Sequence, residues 1–83
     1  MISTVTIRRE SAAQGAIEHP DEWDDAQINA AVTNRAIDVA ARADMWVGQN
    51  RTTVDGIEPG TDYRDEWEGD YKPEPVALTD EDL

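Results

Sequence analysis

Cysteine and phenylalanine are absent from this 83-residue chain, histidine occurs once, and lysine plus arginine number 7 against 19 aspartates and glutamates. Without cysteine there is no disulfide framework and no thiolate metal site. No apolar run reaches the ~18 residues of a spanning helix. The first residues lack a basic region followed by an apolar stretch, so no secretory leader is read there. The shortage of cations, at a net charge of −12, argues against direct nucleic-acid binding, because phosphates repel carboxylates. The same shortage argues against adhesion to an anionic membrane. Aliphatic residues are also scarce: Ile, Val and Leu number 14 of 83, below the ~20% at which high charge begins to suggest disorder. Three Trp, two Tyr and two Met offset this in part, since one Trp or Tyr buries roughly 150–250 Å². The expectation is a small soluble acidic protein of the cytoplasm with a thin core. A homodimer pooling two such cores is an option.

What charge there is lies in blocks. Glu18, Asp21, Glu22, Asp24 and Asp25 give residues 18–25 a charge of −5, and residues 55–83 carry −9, while the remainder is nearly neutral. Such segregation suits a scaffold bearing a displayed acidic surface.

Residues 2–8 alternate β-branched and polar side chains and predict a strand. Residues 9–18 are small and polar around Gly15 and predict a loop. The strongest signal is a helix from about Asp25 to Val47, capped by Asp24 or Asp25. There Ile28, Val32, Ala36, Val39, Ala43 and Trp46 fall within an ~80° stripe. Ala26, Ala30, Ile37 and Ala41 form a weaker second face. Asp55-Gly56 between β-branched residues predicts a β-hairpin over about 51–58, and Pro59-Gly60 marks another turn. Pro73 and Pro75 interrupt regular structure, Val76, Ala77 and Leu78 are able to dock, and residues 79–83 are expected to fray. The expected fold class is α+β. One domain over 1–78 combines a long central helix with a short N-terminal strand, a small hairpin and an irregular acidic C-terminus.

Asp21-Glu22-Trp23-Asp24-Asp25 has an echo in Asp65-Glu66-Trp67-Glu68. Each sets a Trp among carboxylates, the pairing of buried area with charge that anchors and steers an interface. Asp62, Arg64, Glu66, Glu68 and Asp70 alternate at i, i+2. If extended, they project to one face every ~6.6 Å, close to the separation of neighbouring phosphates on one strand, with Arg64 interrupting the row. Catalysis finds little support. His19 reads as a surface histidine, with no Ser-centred elbow, phosphate-cradling Gly loop or His-x-Glu metal motif beside it. The acidic segment 62–68 lacks the ligand spacing of an EF-hand loop. Asn50-Arg51-Thr52 matches a glycosylation acceptor that is idle without secretion. No enzyme, cofactor or metal is expected.

In size, missing cysteines, charge and the clusters 21–25 and 62–70, the chain resembles the small acidic proteins with which bacteriophages disarm host defences. These are DNA-mimic anti-restriction proteins, uracil-DNA glycosylase inhibitors and, foremost, type I anti-CRISPR proteins. The resemblance implies stoichiometric inhibition without chemistry. Its target would be an RNA-guided surveillance complex (Cascade) whose DNA-binding Lys and Arg the acids cover. The expected partner is thus a basic nucleic-acid-binding surface, contacted by Asp21, Glu22, Trp23, Asp24, Asp25, Asp62, Asp65, Glu66, Trp67, Glu68 and Asp70. The other expectation is a non-inhibitory acidic interaction module, dimeric through the helix.

Overall fold

A computed structural model describes residues 1–8, 12–42, 53–66 and 72–83. Its centre is a four-stranded mixed sheet in the order β3-β1-β2-β4, formed by β1 (Ile2–Arg8), β2 (Ala12–Glu18), β3 (Thr53–Glu58) and β4 (Val76–Ala77). β1 pairs antiparallel with both β2 and β3, while β4 runs parallel to β2. Helices α1 (Asp25–Asn34) and α2 (Ala36–Arg42) pack on the sheet, α1 against β3 and α2 against β2. Short 3-10 turns occupy Tyr63–Glu66 and Asp80–Asp82.

This architecture is α+β, but it corrects the expected one in three places. First, the long helix is two short ones. Arg35 leaves helical geometry at φ −113° and ψ 27°. The preceding turn prepares the break, because Thr33 Oγ1 donates back to the Asn29 carbonyl at 2.8 Å, a bond that bends helices. The Arg35 side chain ion-pairs with Asp38 at 2.7 Å and with Asp82 at 3.3 Å. Ile28, Val32 and Val39 of the predicted stripe are buried, with Ala31 and Ala40 beside them, whereas Ala43, Trp46 and Val47 lie outside the described residues. The second face, Ala26, Ala30, Ile37 and Ala41, is exposed.

Second, residues 12–18 form a strand and not a loop. Alanine and glycine have weak intrinsic β preference, but tertiary pairing overrides it. The strongly β-forming β1 supplies a full antiparallel partner from Ile2↔Glu18 to Arg8↔Ala12. Small residues at Ala13 and Gly15, opposite Ile7 and Val5, leave room on that face for the helices.

Third, Asp55-Gly56 is a bulge inside β3. Its register against β1 shifts between Thr6 and Ile7, so Val54 opposes Ile7 and Ile57 opposes Val5. One extra residue re-phases the alternation, and both apolar side chains of β3 reach the core face. Among the described glycines only Gly60 has positive φ, at 73°, so the geometry that an Asp-Gly hairpin turn requires is not adopted at residue 56.

The core lies between this sheet face and the helices: Val5, Ile7, Ile17 and Val76 from the sheet, Ile28, Ala31, Val32, Val39 and Ala40 from the helices, closed by Trp23 and Leu78. Each large aliphatic side chain so buried contributes roughly 1.5–3 kcal/mol. The opposite sheet face is crossed by residues 61–63. Thr4 Oγ1 donates to the Thr61 carbonyl at 2.7 Å and accepts from the Tyr63 amide at 3.0 Å, which buries Tyr63 and Thr4. Residues 79–83, expected to fray, are tied down. The Asn34 side chain donates to the Asp82 carbonyl at 2.6 Å and Arg35 reaches the Asp82 carboxylate at 3.3 Å. Among the described residues no helix is long and apolar enough to cross a membrane.

Candidate partner-binding surface

The first acidic cluster begins where β2 ends. Backbone bonds join His19 to Met1 in both directions, the His19 amide to the Met1 carbonyl at 3.0 Å and the Met1 α-amino group to the His19 carbonyl at 2.9 Å. The same amino group donates to Asp21 at 2.9 Å. That bond, reinforced by the charge of the ammonium, holds the Asp21 carboxyl below its ordinary range. A turn closes with the Trp23 amide donating to the Pro20 carbonyl at 3.2 Å. Asp24 then caps α1: its carboxylate accepts from the Gln27 amide at 2.8 Å, and Gln27 Oε1 accepts from the Asp24 amide at 3.0 Å. This reciprocal capping box satisfies two otherwise orphaned donors.

Trp23 is a core residue, 7% exposed. Its indole stacks on His19 with ring centroids 6.0 Å apart and planes 8° from parallel, and its Nε1–H donates to Asp80 at 3.4 Å. His19, expected at the surface, is 3% exposed. Its Nδ1 lies 2.8 Å from the Pro20 carbonyl and its Nε2 lies 2.7 Å from Ser3 Oγ. A carbonyl only accepts, so the network assigns the ring proton to Nδ1. Ser3 Oγ accepts from the Gly60 amide at 3.2 Å and is free to give its own proton to Nε2. Every polar atom of this buried group therefore has a complementary partner. The one local signal in sequence was the Pro20 that starts the turn after His19.

The second cluster begins two residues after Gly60. Asp62 accepts from Arg64 three times, from its amide at 3.0 Å, from Nε at 2.8 Å and from Nη2, while Arg64 Nη1 donates to the Pro73 carbonyl at 2.7 Å. The guanidinium bonds hold the Asp62 carboxyl below its ordinary range and push Arg64 above its own. Asp65 and Glu66 point to solvent. Because residues 63–66 form a 3-10 turn, successive side chains rotate by about 120°. Side chains at i, i+2 therefore do not share a face, and the extended phosphate-spaced row is not formed there. Trp67, Glu68 and Asp70 lie outside the described residues.

The predicted contact residues thus separate. Asp21, Trp23, Asp24 and Asp62 are engaged within the fold, while Glu22, Asp25, Asp65 and Glu66 are exposed with no ion pair among the described residues. Two strand residues join the second group. Glu18 pairs with Ile2 and Glu58 with Thr4, so both lie on the sheet face away from the helices, near the start of β1. No local pattern marks them, since β2 becomes a strand only beside β1 and the bulge breaks the alternation of β3. Both clusters attach to that same end of β1, one through His19 and Ser3, the other through Ser3 and Thr4. The arginines whose side chains are described are all engaged: Arg8 with Asp55, Arg35 with Asp38 and Asp82, Arg64 with Asp62. No group of three or more His, Asp or Glu among the described residues is arranged to hold a metal ion. Compared with known proteins, the chain matches no family model, no curated protein and no solved structure.

Proposed function

We propose that the chain is a stoichiometric protein inhibitor that covers the positively charged nucleic-acid-binding surface of a host defence complex, with a CRISPR surveillance complex (Cascade) as the favoured target. One observation carries this reading. Glu18, Glu22, Asp25, Glu58, Asp65 and Glu66 are exposed, on strands paired with the start of β1 or on segments tied to it through His19 and Tyr63, and none forms an ion pair among the described residues. The described arginine side chains are occupied by other carboxylates and the Met1 ammonium by Asp21, and Lys72, which acts on Asp62, adds a single positive charge, so carboxylates remain in excess at this end. Uncompensated charge at one end raises self-repulsion in a small domain. It also steers a cationic groove onto that end and aligns it there. Mimicry here is of charge density and not of a straight backbone, since the 3-10 turn rules out an evenly spaced row over residues 63–66.

The test is binding to a purified type I surveillance complex, with and without bound target duplex. Saturable binding that target DNA abolishes is expected. Reversal of Glu22, Glu58, Asp65 and Glu66 to Lys should weaken it at least about 100-fold, which corresponds to roughly 2.7 kcal/mol. Simultaneous binding of DNA and this protein, or binding indifferent to the four reversals, overturns the reading and leaves a non-inhibitory acidic module.

A further inference from the structure

The acid-flanked Trp23 is the feature whose surroundings remain unexplained by the inhibitor reading: an interface anchor by composition, it is buried in the free protein. What lies over its polar edge is the segment 79–83. The residue before that segment, Leu78, is fixed, 3% exposed with its amide donating to the Glu18 carbonyl at 2.7 Å. The segment itself is attached differently. Its 3-10 turn contains no buried residue, and Leu83 is 48% exposed. It is fastened by polar contacts: Arg35 Nη1 to the Asp82 carboxylate at 3.3 and 3.4 Å, Asn34 Nδ2 to the Asp82 carbonyl at 2.6 Å, and Trp23 Nε1 to Asp80 at 3.4 Å. Internal bonds keep it a unit, with the Thr79 amide on Asp82 at 2.9 Å and the Asp82 amide on the Thr79 carbonyl at 2.9 Å.

A segment that adds no residue to the core and is held by hydrogen bonds and one partly exposed ion pair opens at lower free energy than the core beneath it. Arg35 is divided between Asp82 and Asp38, so release of Asp82 leaves the guanidinium a partner. Asp80, Glu81 and Asp82 are then free to pair with cations elsewhere, and the Nε1 edge of Trp23 is uncovered next to Glu22, Asp24 and Asp25.

We infer that residues 79–83 are a hinged acidic strap, latched by Asp82 on Arg35 and by Asp80 on Trp23, that an arginine-rich partner surface draws off to expose Trp23 as the anchor of the complex. The identity of the opener as a cationic surface rests on the inhibitor reading. The latch itself does not.

The experiment follows hydrogen exchange of the Trp23 indole N–H and of backbone amides by NMR in the whole chain. In the free protein the indole N–H and the amides of Thr79, Asp82 and Leu83 should exchange together, faster than those of Val5 and Ile17. Arg35→Met should speed the indole by at least about tenfold while Val5 and Ile17 keep their protection. A hexa-arginine peptide added to the unmodified protein should have the same selective effect. The latch is overturned if Trp23 exchanges only in step with Val5 and Ile17, or if Arg35→Met leaves the indole unchanged. Asp80→Ala serves as the second variant, with the same expected selectivity. If the variants open the strap and hexa-arginine does not, cation-driven opening is overturned. If surveillance-complex binding fails while both arms succeed, only the inhibitor reading falls.

Discussion

Residues 21–25 and residues 62–66 have nearly the same makeup, yet they are built into the molecule in opposite ways. In the first stretch the backbone is turned so that Asp21 meets an ammonium group, Asp24 meets the amides of a helix start, and Trp23 closes the core. Glu22 and Asp25 are the residue of that arrangement, exposed and without an ion pair among the described residues, though Asp25 sits in the first turn of α1 where its charge suits the helix dipole. In the second stretch Asp62 takes up the Arg64 guanidinium, and the buried anchor is Tyr63. The following Asp65 and Glu66 are exposed and form no ion pair among the described residues. An acidic segment is therefore not a unit of function. Each carboxylate is assigned by whether an N–H or a guanidinium lies within reach, and only the remainder is available to a partner.

The sharpest way to break this distinction is at Trp23. Trp23→Ala should cost about 3–5 kcal/mol, enough to unfold a thin-cored domain, whereas a purely interfacial tryptophan would leave the urea midpoint in place. Next comes the buried polar pair that braces both clusters. Ser3→Ala leaves His19 Nε2 and the Gly60 amide without their partner, and should cost about 1–3 kcal/mol. An unchanged midpoint would mean that water replaces the hydroxyl and that the two clusters are not joined through it.

Arg64→Met tests the second cluster and carries a pH signature. The Asp62 carboxyl is held below its ordinary range by the guanidinium, so the folded value lies beneath the unfolded one of about 3.9. Its stabilisation is therefore complete above about pH 4 and is lost as pH falls through the folded value. The side chains of Asp62 and Arg64 are only 20% and 14% exposed, and the loss at neutral pH should be about 1–2 kcal/mol. The gap between the two proteins should then narrow below about pH 4 in urea titrations. A gap that stays constant with pH would assign the effect to the Pro73 carbonyl bond instead. Asp24→Ala, which removes the cap of α1, should cost about 1 kcal/mol, read in the same titrations.

How much of this was legible follows from range. β1 was readable because its β-branched alternation is intrinsic, and Asp24 because a cap acts over three residues. β2 was not, since Ala12 to Glu18 becomes a strand only beside β1. Asp55-Gly56 was ambiguous in kind: the same pair serves a two-residue turn or a bulge, and the pairing with Thr6 and Ile7 decides. Ile28, Val32 and Val39 of the helix stripe are buried, but nothing local in the sequence marks the break at Arg35, whose backbone leaves helical geometry. For the surface, composition located the acids and the displaced charge. It could not separate Asp21, Asp24 and Asp62 from Glu22, Asp65 and Glu66, because their partners are an ammonium, a helix end and a neighbouring arginine whose positions only the fold sets.

The smallest expected effect is also the most discriminating. Glu58→Lys, Asp65→Lys and Glu66→Lys touch no hydrogen bond of the described fold, so each should change stability by no more than about 0.5 kcal/mol. The sign should be favourable at low salt. At a net charge of −12 and a longest extent of 32 Å, the whole molecule lies within about one Debye length at 0.01 M salt, where that length is about 30 Å, and each reversal relieves repulsion from the rest. At 1 M salt, where screening acts over about 3 Å, the gain should vanish and the unmodified protein should itself melt at a higher temperature. The contrast with Asp62 is then direct, since removing its charge destabilises at either salt by breaking a contact bond. Thermal melts of the three reversals and of Asp62→Asn at both salts separate the two kinds of carboxylate. If Asp65→Lys or Glu66→Lys destabilises as Asp62→Asn does, those acids belong to the fold and the surface left for a cationic partner shrinks to Glu18, Glu22, Asp25 and Glu58.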